Sequence, residues 1–235
     1  MAGAVGVIVA LAVGLAVRQL LARRAAPPRA PGAASSRFGV EDVLHVPHLP
    51  GSVTLDGDSD DPVWTQPPGP ARTGAFRLPS GAEARPYTSA RLLWGDGHLY
   101  LSLYAADEDI ESRTDQPDGP LWLDDSFRLS FSQGDVERVI EVSPRGVVTD
   151  SIRRGGRAYD YGWSSGVHVS PERDGTLNKP DDMDEEWVIE MAVPLESIAL
   201  KGEPGERTRL SIVRCDTPKN SGRVCTSWES TLVLD

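Results

Sequence analysis

Four aromatic side chains lie in polar, turn-rich stretches where a ring can stay partly uncovered: Trp122, Tyr159, Tyr161 and Trp163. Trp122 follows the Gln116–Pro120 loop and precedes a strand-like run, which places it at the edge of a sheet. The other three fall in a Gly-rich loop spanning residues 155–166 and offer a second platform. A flat apolar face flanked by fixed polar groups is how small-ligand sites divide their work. The plain alternative is a rim tryptophan and a loop packed on a sheet.

A second chemistry needs acids. Asp107, Asp109, Asp124 and Asp125 form two pairs at loop edges, which converge if the strands beginning near Leu99 and Asp125 are neighbours. Several carboxylates together suit calcium; a solvated acidic rim is the alternative. Asp56, Asp58 and Asp60 match positions 1, 3 and 5 of an EF-hand loop, but Asp61 stands where glycine belongs and Pro67 where glutamate belongs. Asx turns explain that run more simply. Cys215 and Cys225 flank a polar stretch with Pro218, Asn220 and Gly222, and strand-like runs lie on either side. Two strands joined there bring the thiols together, and in an exported domain this predicts a disulfide. Buried free thiols are the alternative. None of His45, His48, His98 and His168 clusters with either cysteine, so no zinc motif forms. No Ser/His/Asp order, H-E-x-x-H or phosphate loop occurs, and a chance carboxylate pair is a weak case for a glycosidase. The chain reads as non-enzymatic.

The elements that must position these residues come in two materials. The chain has 235 residues, with 24 Lys or Arg, 35 Asp or Glu and a net charge of −11. Residues 1–37 hold five arginines and no acid, which leaves 19 bases against 35 acids in the body. An acidic body argues against a nucleic-acid partner, because phosphate backbones need a basic surface. Ala2–Val17 is uninterrupted Ala, Gly, Val, Ile and Leu. As a helix it is about 24 Å long, and extension through Leu21 brings it near spanning length. We read residues 1–24 as a signal anchor or signal peptide and residues 25–49 as a Pro/Ala-rich tether, with the body at 50–235. The expected location is membrane-anchored and extracytoplasmic, in the cell envelope or periplasm, or secreted if the leader is cleaved. The arginines follow the apolar run instead of preceding it, which pulls the other way under the positive-inside rule.

The body alternates with period two. Leu99, Leu101 and Leu103 share one face, and Phe127, Leu129 and Phe131 another. Trp187, Ile189, Met191 and Val193 repeat the pattern. Turn signals separate the runs, and Trp94–His98 reads as a tight hairpin. Some ten short strands predict an all-β antiparallel sandwich, immunoglobulin- or jelly-roll-like. Trp64, Trp94, Trp187 and Trp228 sit among alternating apolar residues and are expected in its core.

Six stretches in order, Val53–Trp64, Ala90–Leu101, Ala106–Ile110, Leu121–Phe131, Ile140–Asp150 and Glu186–Leu195, carry a resemblance. Over roughly residues 50–235 the chain resembles the family 9 carbohydrate-binding modules and their DOMON-like relatives. The resemblance implies a sandwich that binds oligosaccharide or polysaccharide without catalysis, often beside glycoside hydrolases, with calcium in some members. It implies Trp122 as one half of a tryptophan clamp around the sugar. The insertion bearing the other half is missing, since Ser227–Thr231 runs directly into Leu232–Asp235. Arg128 and Glu141 occupy positions where the sugar-binding members have an acid and an arginine. Two other readings stay open: an envelope scaffold that has lost sugar binding, and a haem-b-binding relative. Haem would need Met191, His168 or Met183 as axial ligands.

Overall fold

The computed structural model describes residues 42–67, 69–219 and 222–235. The anchor and most of the tether lie outside these. Among the described residues no helix is long and apolar enough to cross a membrane.

Among the described residues eleven strands form the expected β-sandwich: β1 (Val43–Val46), β2 (Ala71–Arg72), β3 (Thr88–Gly95), β4 (His98–Ala106), β5 (Ser126–Gln133), β6 (Val136–Val142), β7 (Val148–Arg154), β8 (His168–Asp174), β9 (Glu186–Pro194), β10 (Arg207–Asp216) and β11 (Val224–Leu234). One sheet has six strands in the order β1-β11-β10-β5-β6-β7; the other has five, β2-β3-β4-β9-β8. All pairings are antiparallel except β1 with β11, which is parallel. β1 lies before the boundary read at residue 50, so part of the stretch read as tether belongs to the six-stranded sheet.

Local chemistry explains the connections. Asp96 and Gly97 both have positive φ, 47° and 74°, as the two central residues of a type I′ hairpin require. The period-two residues meet between the sheets: Leu99, Leu101, Leu103, Phe127, Leu129, Phe131, Ile189 and Met191 are all fully buried. Trp94, Trp187 and Trp228 join them in one core. Burying each such side chain contributes roughly 1.5–3 kcal/mol, which is what holds two sheets face to face.

Trp64 is also fully buried, but in a separate small core with Leu93, Tyr100 and Ala192. That core lies on the outer face of the five-stranded sheet, beneath a covering segment with a one-turn helix, α1 (Pro62–Thr65). Glu190 of β9 lies under it, accepting hydrogen bonds from the Trp64 indole (2.5 Å) and the Gly57 and Asp56 amides (2.8 and 3.0 Å). Burial raises its pKa above the ordinary glutamate value. The acids of this segment make consecutive Asx turns, Asp58 N–H to Asp56 and Asp60 N–H to Asp58 at 3.0 and 2.9 Å.

The disulfide between Cys215 and Cys225 is present. The two residues are direct partners in the β10–β11 register.

Candidate functional site

The loop between β7 and β8 turns back along the edge of its own sheet. Ile152 and Asp160 exchange both backbone hydrogen bonds, at 3.0 and 2.8 Å. Asp160 therefore extends the sheet, and its neighbours Tyr159 and Tyr161 fall on the opposite side, over the outer face. There Arg128 of β5 and Glu141 of β6 stand opposite each other and form an ion pair at 2.8 Å. Arg153 of β7 pairs with Glu137 of β6 at 2.5 Å. Tyr159 locks the two pairs together. Its hydroxyl donates to Glu137 at 2.9 Å and accepts from Arg128 at 3.2 Å. Its ring lies against both guanidinium groups, 5.4 Å from Arg128 and 4.9 Å from Arg153. Burial raises the Tyr159 pKa.

Tyr159 is thus committed to the protein. Tyr161 is not: the residue is 45% exposed, and its ring is 6.5 Å from that of Tyr159. Tyr161 and half-buried Trp163 line a surface groove of about 390 Å³. Across it stand Pro117 and Asp118 from the loop before β5, with Val148 and Asp150 of β7 at its base. Two bonds hold that loop to β7, Asp118 N–H to the Val148 carbonyl (3.0 Å) and Thr149 Oγ1 to the Gly119 carbonyl (2.8 Å). Asp150 in turn accepts from the Ser165 amide at 2.5 Å, fixing the far wall. Trp122 belongs to a 3₁₀ turn, Leu121–Leu123, at the end of the same loop. It is half-buried, between fully buried Leu121 and 62%-exposed Leu123, and is not among the groove-lining residues. Of the four aromatics expected at a site, the structure therefore gathers Tyr161 and Trp163 at one groove, turns Tyr159 inward onto the sheet, and leaves Trp122 out of the groove lining. Pro117 and Asp118 were legible only as a turn signal.

The acids regroup as well. Asp107 and Asp125 come together, but with Asp216, one oxygen from each lying within 4.8 Å of the others. All three are buried. Asp109 and Asp124 are not in this group. Asp109 donates its amide to Asp107 (3.1 Å), and Asp124 accepts from the Thr114 amide (2.8 Å). Burial raises the pKa of Asp109, with Glu111 adding to it. Arg214 stands among the three carboxylates, 3.1 Å from Asp107 and 3.5 Å from Asp216. The Trp187 indole donates to Asp107 at 2.9 Å. Asp125 accepts from the Glu111 and Thr217 amides, at 2.6 and 2.9 Å. Among the described residues Asp216 Oδ1 has no partner. Burial first, and Asp107 second, push Asp125 up to about 8, and burial pushes Asp216 up to about 6. The missed residue had a signal. Leu210, Ile212, Arg214 and Asp216 share one phase of β10, so two charged residues had to follow two buried aliphatics inward.

The haem ligands do not converge. Met191 points into the core, while His168, opposite Ala192 in the register, lies on the other face and is exposed. Met183 is 80% exposed.

No protein-family profile matches the chain, and no curated protein matches it. Solved structures do. The chain is similar to a candidate carbohydrate-binding protein from Bacteroides uniformis ATCC 8492, with TM-score 0.62 and 14% identity over 83% of this chain and 100% of that one. It is similar to a family 9 carbohydrate-binding module from Caldicellulosiruptor kristjanssonii in complex with cellotriose, with TM-score 0.52 and 16% identity over 82% of this chain and 93% of that one. The same module in complex with glucose aligns with TM-score 0.52 and 16% identity over 81% of this chain and 95% of that one. The sandwich has the fold of the family 9 modules.

Proposed function

We propose that the chain is a non-catalytic carbohydrate-binding domain, held at the cell envelope by residues 1–24. The observation that carries this is the aromatic-lined groove on a sandwich whose solved relatives include modules complexed with cellotriose and glucose. A pyranose lies with its C–H face on Tyr161 and Trp163 and its hydroxyls toward Asp118 and the loop backbone. Trp122, half-buried in the turn that ends the Pro117–Asp118 loop, would be a separate stacking face. Glycoside hydrolysis would need a second free acid beside Asp118, and Asp150, the other carboxylate lining the groove, is buried and accepts from the Ser165 amide. The test is retention of the full chain on insoluble cellulose and xylan. Loss of retention in both Tyr161→Ala and Trp163→Ala supports the groove. Loss in Trp122→Ala alone moves the site to the turn. No retention on either glycan overturns the reading.

One observation favours the scaffold alternative. Arg128 and Glu141, the polar pair beneath the aromatic loop, are bound to each other and capped by Tyr159, which leaves only 18% and 15% of their side chains exposed to a ligand.

For calcium, the donor set becomes Asp107, Asp125 and Asp216, whose carboxylates suit a hard cation in type and charge. Arg214 already shares that space, so the ion would have to be held beside it. A melting temperature raised by calcium and lowered by chelator supports the site. A melt unchanged by both leaves Arg214 and a retained proton as the counter-charges.

A further inference from the structure

The arginines of β5, β6 and β7 are treated differently on the two faces of the sheet. On the outer face, Arg128 and Arg153 each have a glutamate. On the inner face, Arg138 stands between Phe131 and Ile152 in the register, in phase with buried Ile140 and Val142. Arg154 stands opposite Val136, in phase with Ile152. The two arginines are therefore diagonal cross-strand neighbours, about 7–8 Å apart at the backbone and within reach of each other's long side chains. Among the described residues neither has an ion pair or a side-chain hydrogen bond. The Arg138 Nη1 is buried with no acceptor at all. Burial, and after it the charge of Arg154, lowers the Arg138 pKa, as expected for a like-charged pair without an acid.

The chain had acids to spare for this place and did not use them. The body carries 35 acids against 19 bases. Glu137, next to Arg138 in the chain, points the other way and pairs with Arg153. Asp135, in the turn before β6, has its carboxylate beside Gly155, 3.6 Å from where a Cβ would stand. It pairs with neither arginine. The turn after β7 adds a third guanidinium-bearing residue, since the Arg157 amide donates to the Arg154 carbonyl at 3.2 Å. A buried guanidinium donor without an acceptor is destabilising, and a second cation beside it compounds the effect. An oxyanion removes both penalties at once, because a guanidinium fork matches two oxygens of a carboxylate, sulfate or phosphate.

We propose that Arg138 and Arg154 form an oxyanion-binding subsite at the β6–β7 edge of the sandwich, separate from the aromatic groove. Its occupant is a carboxylate, sulfate or phosphate group, whether borne by an acidic glycan or free in solution. The site does not depend on the groove binding sugar.

The experiment is a titration of the ¹⁵N-labelled full chain, following the arginine Nε–H signals by NMR. The probes are inorganic phosphate, trigalacturonate and, as a neutral control, cellotriose. Phosphate or trigalacturonate should shift the Arg138 and Arg154 signals saturably, with an affinity on the order of millimolar. Arg154→Gln, an exposed substitution that leaves the fold intact, should weaken that response about tenfold or more. Arg138→Met is the second variant and should do the same. Arg209→Gln, which removes an exposed arginine paired with Glu229 elsewhere on the sheet, should leave it unchanged. Tighter binding of trigalacturonate than of phosphate assigns the oxyanion to a glycan; equal binding assigns it to a free ion. No saturable shift with either probe, or a shift that survives Arg154→Gln, overturns the subsite. Because cellotriose reports on the groove alone, failure of one site does not disguise failure of the other.

Discussion

The two sheets of this sandwich present different outer faces. That of the five-stranded sheet is closed by its own chain. The segment before β2 crosses it and buries Trp64, and its amides and the indole satisfy Glu190. That of the six-stranded sheet carries the loop after β7 along one edge, anchored by Tyr159, and its Arg128, Glu137, Glu141 and Arg153 stay partly exposed. Both faces hold strand glutamates. On the closed face the glutamate is met by backbone amides and an indole. On the open face, Glu137 and Glu141 are met by arginines that water can also reach. A binding surface needs the second arrangement, since a face sealed by its own chain has nothing left to offer a ligand.

The contrast predicts effects of graded size. Trp64→Ala should be the most damaging change, losing about 3–5 kcal/mol by removing the centre of the small core and one partner of Glu190. Urea unfolding measures it; a loss under about 1 kcal/mol, the scale of a surface substitution, would mean the face is not truly sealed. The buried carboxylates between the sheets come next. Asp125 and Asp216 hold protons in the folded state that the unfolded chain releases near the ordinary aspartate value. The unfolded state then binds fewer protons, so stability falls as pH rises from about 4 towards about 8. The loss should total on the order of a few kcal/mol. Asp125→Asn, compared with the parent chain in chelator across that range, should flatten the slope; an unaltered slope would place the proton elsewhere.

Opening the Cys215–Cys225 bridge should be milder. It closes a short loop, so the paired Cys215→Ser, Cys225→Ser variant should lose about 2–3 kcal/mol. An unchanged midpoint would show that β10–β11 pairing alone holds that end of the open sheet. Tyr159→Phe is the gentlest change. It removes one hydroxyl shared by Glu137 and Arg128 and should lose about 0.5–1.5 kcal/mol. If it also loosens retention on cellulose, Tyr159 positions the loop that carries Tyr161 and Trp163. If stability alone changes, the latch and the groove are independent.

Much of this was legible beforehand because alternation along a strand reports directly which side chains must leave water. Strict alternation put Leu99, Leu101 and Leu103 inside, and turn chemistry closed the hairpin at Asp96 and Gly97. The spacing of the cysteines followed from the two strands they terminate, and the Asp56–Asp61 run behaved as the local turn formers its composition implied. These are properties of neighbours a few positions apart, and local sterics and burial suffice to set them. Which long-range partner each side chain meets is a different matter. Nothing in the order of residues says that Trp64 will cover the outside of a sheet instead of filling its inside. The same holds for Asp216, which takes the place expected of Asp109 and Asp124, and for Tyr159, which turns down onto two arginines while Tyr161 stays out. Those outcomes depend on strand order, register and the path of loops across a sheet. They were settled when the whole chain packed and distant charges had to find counter-charges out of water.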